Sequence, residues 1–255
     1  MTVPVVVETR DRVTRIRLDR PEKKNALTVA MYQALADALR GADADPAVRA
    51  VLIHGESDCF SAGNDLADFA ARPDQGDDAP VAQFLRAVST AAKPLVAAVG
   101  GPAVGIGTTM LLHCDFVYAA PGTRFQLPFV RLGLVPEAAS GLLLPMIAGY
   151  QRAAELLLLG RPFSAEQALA AGIVTAIVPA DQLLAHANDV ALAIAALPPK
   201  SVQLSKALMK RAMAAPVAEQ MAEESRQFRA QLASGEVKEA IAAFFEKRPA
   251  DFSKF

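Results

Sequence analysis

The chain has 255 residues, 53% hydrophobic and 21% charged, which is enough apolar surface to bury one substantial core and too little charge for a disordered chain. With 26 Lys plus Arg against 27 Asp plus Glu, the net charge is -1. That balance excludes a long-range field for nucleic acid or an acidic membrane surface, so an anionic ligand has to be held locally.

The opening "MTVPVVVETRDRV" lacks a signal-peptide layout, and the closing "DFSKF" is not a Ser-Lys-Leu type address, so the expectation is a cytoplasmic protein. "VTRIRLDR" (13–20) alternates apolar and charged residues and predicts a half-buried strand that runs into the turn "PEKKN". Thr28 is placed to cap a helix whose Met31, Leu35 and Leu39 form one stripe, with Gly41 as its stop. "VRAVLIHG" (48–55), Leu95 to Val99 and Phe116 to Ala120 are apolar almost throughout, as strands covered on both faces are. "ARPDQGDDAP" (71–80) reads as a polar loop and a candidate flap over a ligand.

The uncharged run from 94 to 114 is long enough on paper to cross a membrane. Its four glycines and Pro102 instead predict a buried strand, a tight turn and a buried helix starting near Val104. From about residue 150 the pattern is mostly helical, interrupted by a short strand at Ile173 to Val178. The chain is therefore predicted to be α/β, with a core over 1–195 and a C-terminal helical region over 196–255.

Cys59 and Cys114 lack CxxC spacing and read as buried reduced thiols. His54, His113 and His186 are isolated from one another, so no metal site is expected. "GGPAVGIG" (100–107) has Met110 where a dinucleotide fingerprint needs glycine, and no Gly-Lys-Ser/Thr follows for a phosphate loop. What "CFSAGNDL" (59–66) and "GGPAVGIG" share is a glycine corner, where unpaired backbone N–H groups can point at a ligand. Two such donors converging from different loops make an oxyanion hole. In "GLVPEAASG" (133–141) a lone acid, Glu137, follows Pro136 among small apolar neighbours. It reads either as an acid at a helix start or as a catalytic carboxylate.

"LDRPEKKNALT", "FSAGNDL", "KPLVAAVGGPAVGIGTTMLLHCDFVYAA", "FQLPFVRLGLVPEAAS", "AGIVTAIVP" and "FFEKRPADF" occur in this order along the chain. Together they resemble the crotonase, or enoyl-CoA hydratase/isomerase, family. The resemblance implies a spiral core of ββα turns and a C-terminal helical trimerisation region, with a homotrimer or dimer of trimers as the assembly. It implies an acyl-CoA thioester substrate with no separate cofactor. It assigns the oxyanion donors to the backbone N–H groups of Ala62 and Ile106, and substrate contacts to Lys24, Ala26, Gly63, Asn64, Asp65, Leu66, Gly105 and Phe129.

Family hydratases carry two glutamates at positions that match Thr109 and Phe129 here, and neither of these side chains titrates near neutral pH. Thr109 either orients a water or bonds back to its own helix, and Asp65 either caps a helix at Leu66 or shapes the ligand pocket. Glu137 coincides with the "Pro-Glu" of peroxisomal-type Δ3,Δ2-enoyl-CoA isomerases. The resemblance thus implies a Glu137-mediated 1,3-proton shift, with hydration, another acyl-CoA thioester reaction or non-catalytic acyl-CoA binding as alternatives. It also allows Lys247 and Arg248 a contact with CoA phosphate.

Overall fold

The computed structural model describes residues 3–55, 59–65, 67–68, 76 and 78–255. Among them the strands are β1 (Val5–Arg10), β2 (Val13–Leu18), β3 (Ala50–Gly55), β4 (Leu95–Val99), β5 (Pro102–Val104), β6 (Phe116–Ala119), β7 (Arg124–Gln126), β8 (Phe163–Ser164) and β9 (Ala176–Ile177). One sheet has the order β1-β2-β3-β4-β6-β9, antiparallel at β1 and β2 and parallel elsewhere. The second holds β5, β7 and β8.

Each of β4 and β6 is followed within a few residues by a strand of the second sheet, and a Ser61–Ala103 bridge gives β3 the same follower. These are ββα turns of a spiral, the expected fold class.

The inner strands β3, β4 and β6 are apolar almost throughout because both of their faces are covered. Val51 and Ile53 of β3 face one core with α1 (Val29–Ala44) and α2 (Pro80–Thr90). Ala50 and Leu52 face the other, beneath α7 (Leu183–Ala196), whose Leu183, Ala187 and Ala191 recur every four residues.

The remaining helices are α3 (Ile106–Thr109), α4 (Ser140–Ala148), α5 (Tyr150–Leu159), α6 (Ala165–Ala170), α8 (Pro199–Lys210), α9 (Ala214–Leu232) and α10 (Gly235–Glu246). The last three form the helical C-terminal region. Lys206 of α8 pins that region to the core, its Nζ donating to Asp115 Oδ2 at 2.6 Å and to the Lys93 carbonyl at 2.8 Å.

Two local expectations need correction, and one strand was not anticipated. Gly41 does not stop α1, which runs to Ala44 because Ala42 is packed into the core and holds the last turn; such burial outweighs the roughly 1 kcal/mol that glycine costs a helix interior. Val104 does not begin a helix: it ends β5, its N–H donating to the Ser61 carbonyl at 2.9 Å, and α3 begins at Ile106. The first strand, β1, pairs with β2 although its short run of valines gave no alternation to read. The 71–80 flap falls mostly outside the described residues. No helix among those described is long and apolar enough to cross a membrane.

Candidate active site

The spiral sets the two glycine corners edge to edge. Ser61 N–H donates to the Pro102 carbonyl at 3.0 Å, and on the other side Leu27 N–H donates to the Gly63 carbonyl at 2.8 Å. Gly63 has φ +90, and a Cβ there would lie 2.8 Å from the Val104 carbonyl oxygen, so only glycine lets these two main chains approach this closely. Gly105 takes φ 55, donates its N–H to the Gln126 carbonyl at 2.9 Å and delivers the chain into α3.

This packing decides which amides are free. Ala62, expected as an oxyanion donor, is not available, because its N–H donates to the Lys24 carbonyl at 2.8 Å. Gly63 N–H is also occupied, by Ser61 Oγ at 3.2 Å. Among the described residues the amides of Asn64 and Ile106 donate to no partner. The corner's free donor is thus Asn64, two residues beyond the one the sequence suggested, and Ile106 keeps its expected freedom.

Glu137 is 8% exposed, and its Oε1 is buried without a hydrogen-bond partner among the described residues. Burial first, and then the nearby charge of Glu224, push its pKa up to about 8. The backbone behind it is strained: Ala138 and Ala139 have φ 59 and 56, left-handed values that cost a non-glycine residue about 1–3 kcal/mol each.

Three buried groups hold that strain. Glu224 of α9 accepts from Ala139 N–H at 2.7 Å and Gly141 N–H at 2.9 Å, capping α4. His113 donates Nε2–H to the Ala138 carbonyl at 2.8 Å, and burial lowers its pKa to about 4, so the ring is neutral. Ser140 Oγ donates to the Glu137 carbonyl at 2.6 Å. Glu224→Gln turns an N–H donor toward one of these amides and is expected to cost about 1–3 kcal/mol, read as a lower urea midpoint with an unchanged m value.

The other expected residues divide. Phe129 is 4% exposed and packed in the core. Asp65 does act as a cap, Oδ1 accepting from Ala67 and Asp68 N–H at 3.1 and 3.2 Å, and it is also locked to Arg20 Nη1 at 2.7 Å. That ion pair and those bonds outweigh burial and lower its pKa. Lys24 and Ala26 lend their carbonyls to Ala62 N–H and to Arg20 Nη1, which leaves the exposed Lys24 side chain for a ligand. Leu66 lies outside the described residues.

Thr109 does not bond back to its helix, since its Oγ1 is buried and unpartnered; the neighbouring Thr108 Oγ1 donates instead to the Ala103 carbonyl of β5 at 2.6 Å. Arg248 is committed to Glu239 at 2.5 Å and Glu246 at 2.6 Å rather than presented to a phosphate. No group of three metal-ligating side chains occurs among the described residues.

Sequence reasoning missed Asn25, Tyr32 and Glu224. Asn25, fully buried, donates Nδ2–H to the Cys59 carbonyl and accepts from Arg20 N–H, both at 2.8 Å, and so ties the "PEKKN" turn to the glycine corner. Tyr32 sits one residue off the Met31 stripe and donates its hydroxyl to Asn64 Oδ1 at 2.5 Å. A tyrosine on the buried face of a helix was a signal that could have been read, because its hydroxyl needs a partner there.

The spiral of ββα turns thus leaves the main-chain amides of Asn64 and Ile106 free at its two glycine corners and buries the Glu137 carboxyl just before α4. The sequence profile of the enoyl-CoA hydratase/isomerase family matches residues 8–254. Rat enoyl-CoA delta isomerase 2 is 36% identical over 251 residues, 96% of this chain but only 64% of that protein's length. A probable enoyl-CoA hydratase of Rhizobium meliloti is 35% identical over 254 residues, 97% of each chain. The crystal structure of an enoyl-CoA hydratase/isomerase from Pseudoalteromonas atlantica superimposes with a TM-score of 0.94 at 46% identity, over 98% of this chain and 100% of that one. The chain belongs to the enoyl-CoA hydratase/isomerase family.

Proposed function

We propose that the chain is a Δ3,Δ2-enoyl-CoA isomerase that moves the double bond of a 3-enoyl-CoA to the 2-trans position. The observation that carries this reading is Glu137, a buried carboxyl with a free oxygen and a pKa raised to about 8. A base of that strength is matched to a proton α to a thioester near neutral pH.

The ionised carboxyl takes a proton from C2, and the electron pair of that C–H bond flows to the C1 oxygen, giving a dienolate. The amides of Asn64 and Ile106 donate to that oxygen, with Asn64 in the place first given to Ala62. The same carboxyl returns the proton at C4, the C2–C3 double bond forms, and the thioester carbonyl is restored. Protons and electrons balance within the substrate, so the step needs no cofactor. Lys24, Ala26, Gly63, Asp65 and Leu66 are proposed to line the CoA end, and Gly105 and Phe129 the acyl end. The exposed apolar side chains Leu204, Leu208 and Met209 on α8 support assembly as a trimer or dimer of trimers.

Hydration is the second reading, favoured by the unpartnered Thr109 Oγ1, which offers a hydroxyl to a water. Against it, two titrating groups are needed to activate water and manage the α-proton, and the matching positions hold Thr109 and Phe129. Purified protein incubated with a 3-enoyl-CoA is expected to build up the absorbance of the conjugated thioester, and with crotonyl-CoA to yield little hydrated product. Rapid hydration of crotonyl-CoA with no isomerisation would favour the second reading, and tight acyl-CoA binding in calorimetry without turnover of either substrate would point to a binding protein.

A further inference from the structure

We infer that Tyr32 is a positioning residue of the oxyanion site: its hydroxyl, donated to the Asn64 side chain, fixes the residue whose main-chain N–H meets the developing enolate, an inference that rests on the isomerase geometry proposed above. The peptides on either side of Asn64 are each held once: Leu27 N–H donates to the Gly63 carbonyl at 2.8 Å, and Asp65 N–H donates to the Leu27 carbonyl at 2.9 Å. Both of these bonds are made by the neighbours of Asn64, whose own N–H stays free. The bond that holds Asn64 itself is the one to Tyr32, at 2.5 Å.

Packing alone does not call for a hydroxyl at position 32. The ring is 3% exposed and lies against Phe84 with centroids 5.5 Å apart, an environment that phenylalanine would fill equally well. A buried hydroxyl is costly unless it is bonded, and the partner it has found is a residue of the glycine corner. Tyr32 and Asn64 also line one small cavity with Leu27, Asp65 and Val81, so the pair borders open space rather than solid core.

Burial, and after it the charge of Glu137, raise the Tyr32 pKa well above its usual 10.0, so the phenol remains a donor whether or not the base is ionised.

The test uses the full-length protein and acetoacetyl-CoA, a 3-ketoacyl thioester whose enolate absorbs in the ultraviolet. Bound to the wild type it is expected to ionise more readily than in solution. Tyr32→Phe is expected to lower the bound enolate fraction at fixed pH about 3- to 10-fold, the worth of one hydrogen bond. The Kd for butyryl-CoA should stay within about twofold, because ground-state binding does not draw on a developing charge. Asn64→Ala should lower the enolate fraction to a similar degree, and adding Tyr32→Phe to it should change nothing more, as coupled residues behave.

An unchanged enolate fraction in Tyr32→Phe, or an equal further loss in the Asn64→Ala background, overturns the inference. So does a wild type that does not stabilise the enolate. Because this readout needs no turnover, a wild type that holds the enolate yet leaves 3-enoyl-CoA unchanged refutes the isomerase reading while supporting the role of Tyr32 if the variants behave as stated.

Discussion

Replacing Glu137 with Gln is expected to lower kcat for isomerisation of a 3-enoyl-CoA about 100- to 10,000-fold, the range for a positioned acid-base group. Affinity for a saturated acyl-CoA should be retained. Glutamine matches the shape of the carboxyl and leaves the strained turn at Ala138 and Ala139 intact, since their φ values of 59 and 56 are held by Glu224 and His113 rather than by the Glu137 side chain. Stopped-flow absorbance of the conjugated thioester measures the loss, and an activity within tenfold of wild type removes Glu137 from the mechanism.

The pH profile gives an independent reading of the same group. Only the ionised carboxyl accepts a proton, so kcat/KM of the wild type should rise with pH and level off above about 8. Glu224→Gln removes the second cause of that raised value and should move the rise to lower pH. Stability should change in the opposite sense. Between 4.5 and about 8 the folded state holds a proton on Glu137 that the unfolded chain has lost, so this group makes stability fall as pH rises through that window. The slope should be smaller in Glu137→Gln, as judged from urea midpoints across the window.

Gly63→Ala is expected to damage the site through the backbone. At φ +90 an alanine is strained, at a cost of about 1–3 kcal/mol. Its Cβ would also sit 2.8 Å from the Val104 carbonyl oxygen, which belongs to β5 and cannot swing aside as a side chain would. The corner must shift, and the Asn64 amide moves with it. Displacing one oxyanion donor typically costs about 100- to 1000-fold in kcat, whereas KM should change little. Circular dichroism and the isomerase assay on one preparation separate the two effects. A folded Gly63→Ala protein with wild-type kcat would show that the Asn64 amide is not the donor.

Much of this molecule was legible from short-range patterns. The apolar runs at 50–55, 95–99 and 116–119 became β3, β4 and β6 because a strand covered on both faces has no polar side to show. Thr28 caps α1, its side chain accepting from Met31 N–H at 3.3 Å, because a cap is settled within one turn of chain. Glu137 stood out because an acid among small apolar neighbours is unusual in any context, and the structure buries it to 8% exposure. The two glycine corners could be located, but not which amide each would leave free.

That choice belonged to the tertiary structure. Ala62 and Asn64 are equally exposed to suspicion in "SAGNDL", and the difference between them is the Lys24 carbonyl, which takes the Ala62 N–H at 2.8 Å after the chain has wound back on itself. Glu224, on α9, reaches across 85 residues of sequence to cap the segment behind Glu137, and Tyr32 reaches across 32 to hold Asn64. Periodicity and capping report only on neighbours a turn away along the chain. The sequence by itself therefore determined the strands, the helices and the presence of a lone acid, while the pairing of buried donors and acceptors from distant segments, each forced by the cost of leaving a polar group unsatisfied, decided which of its atoms remain free to act.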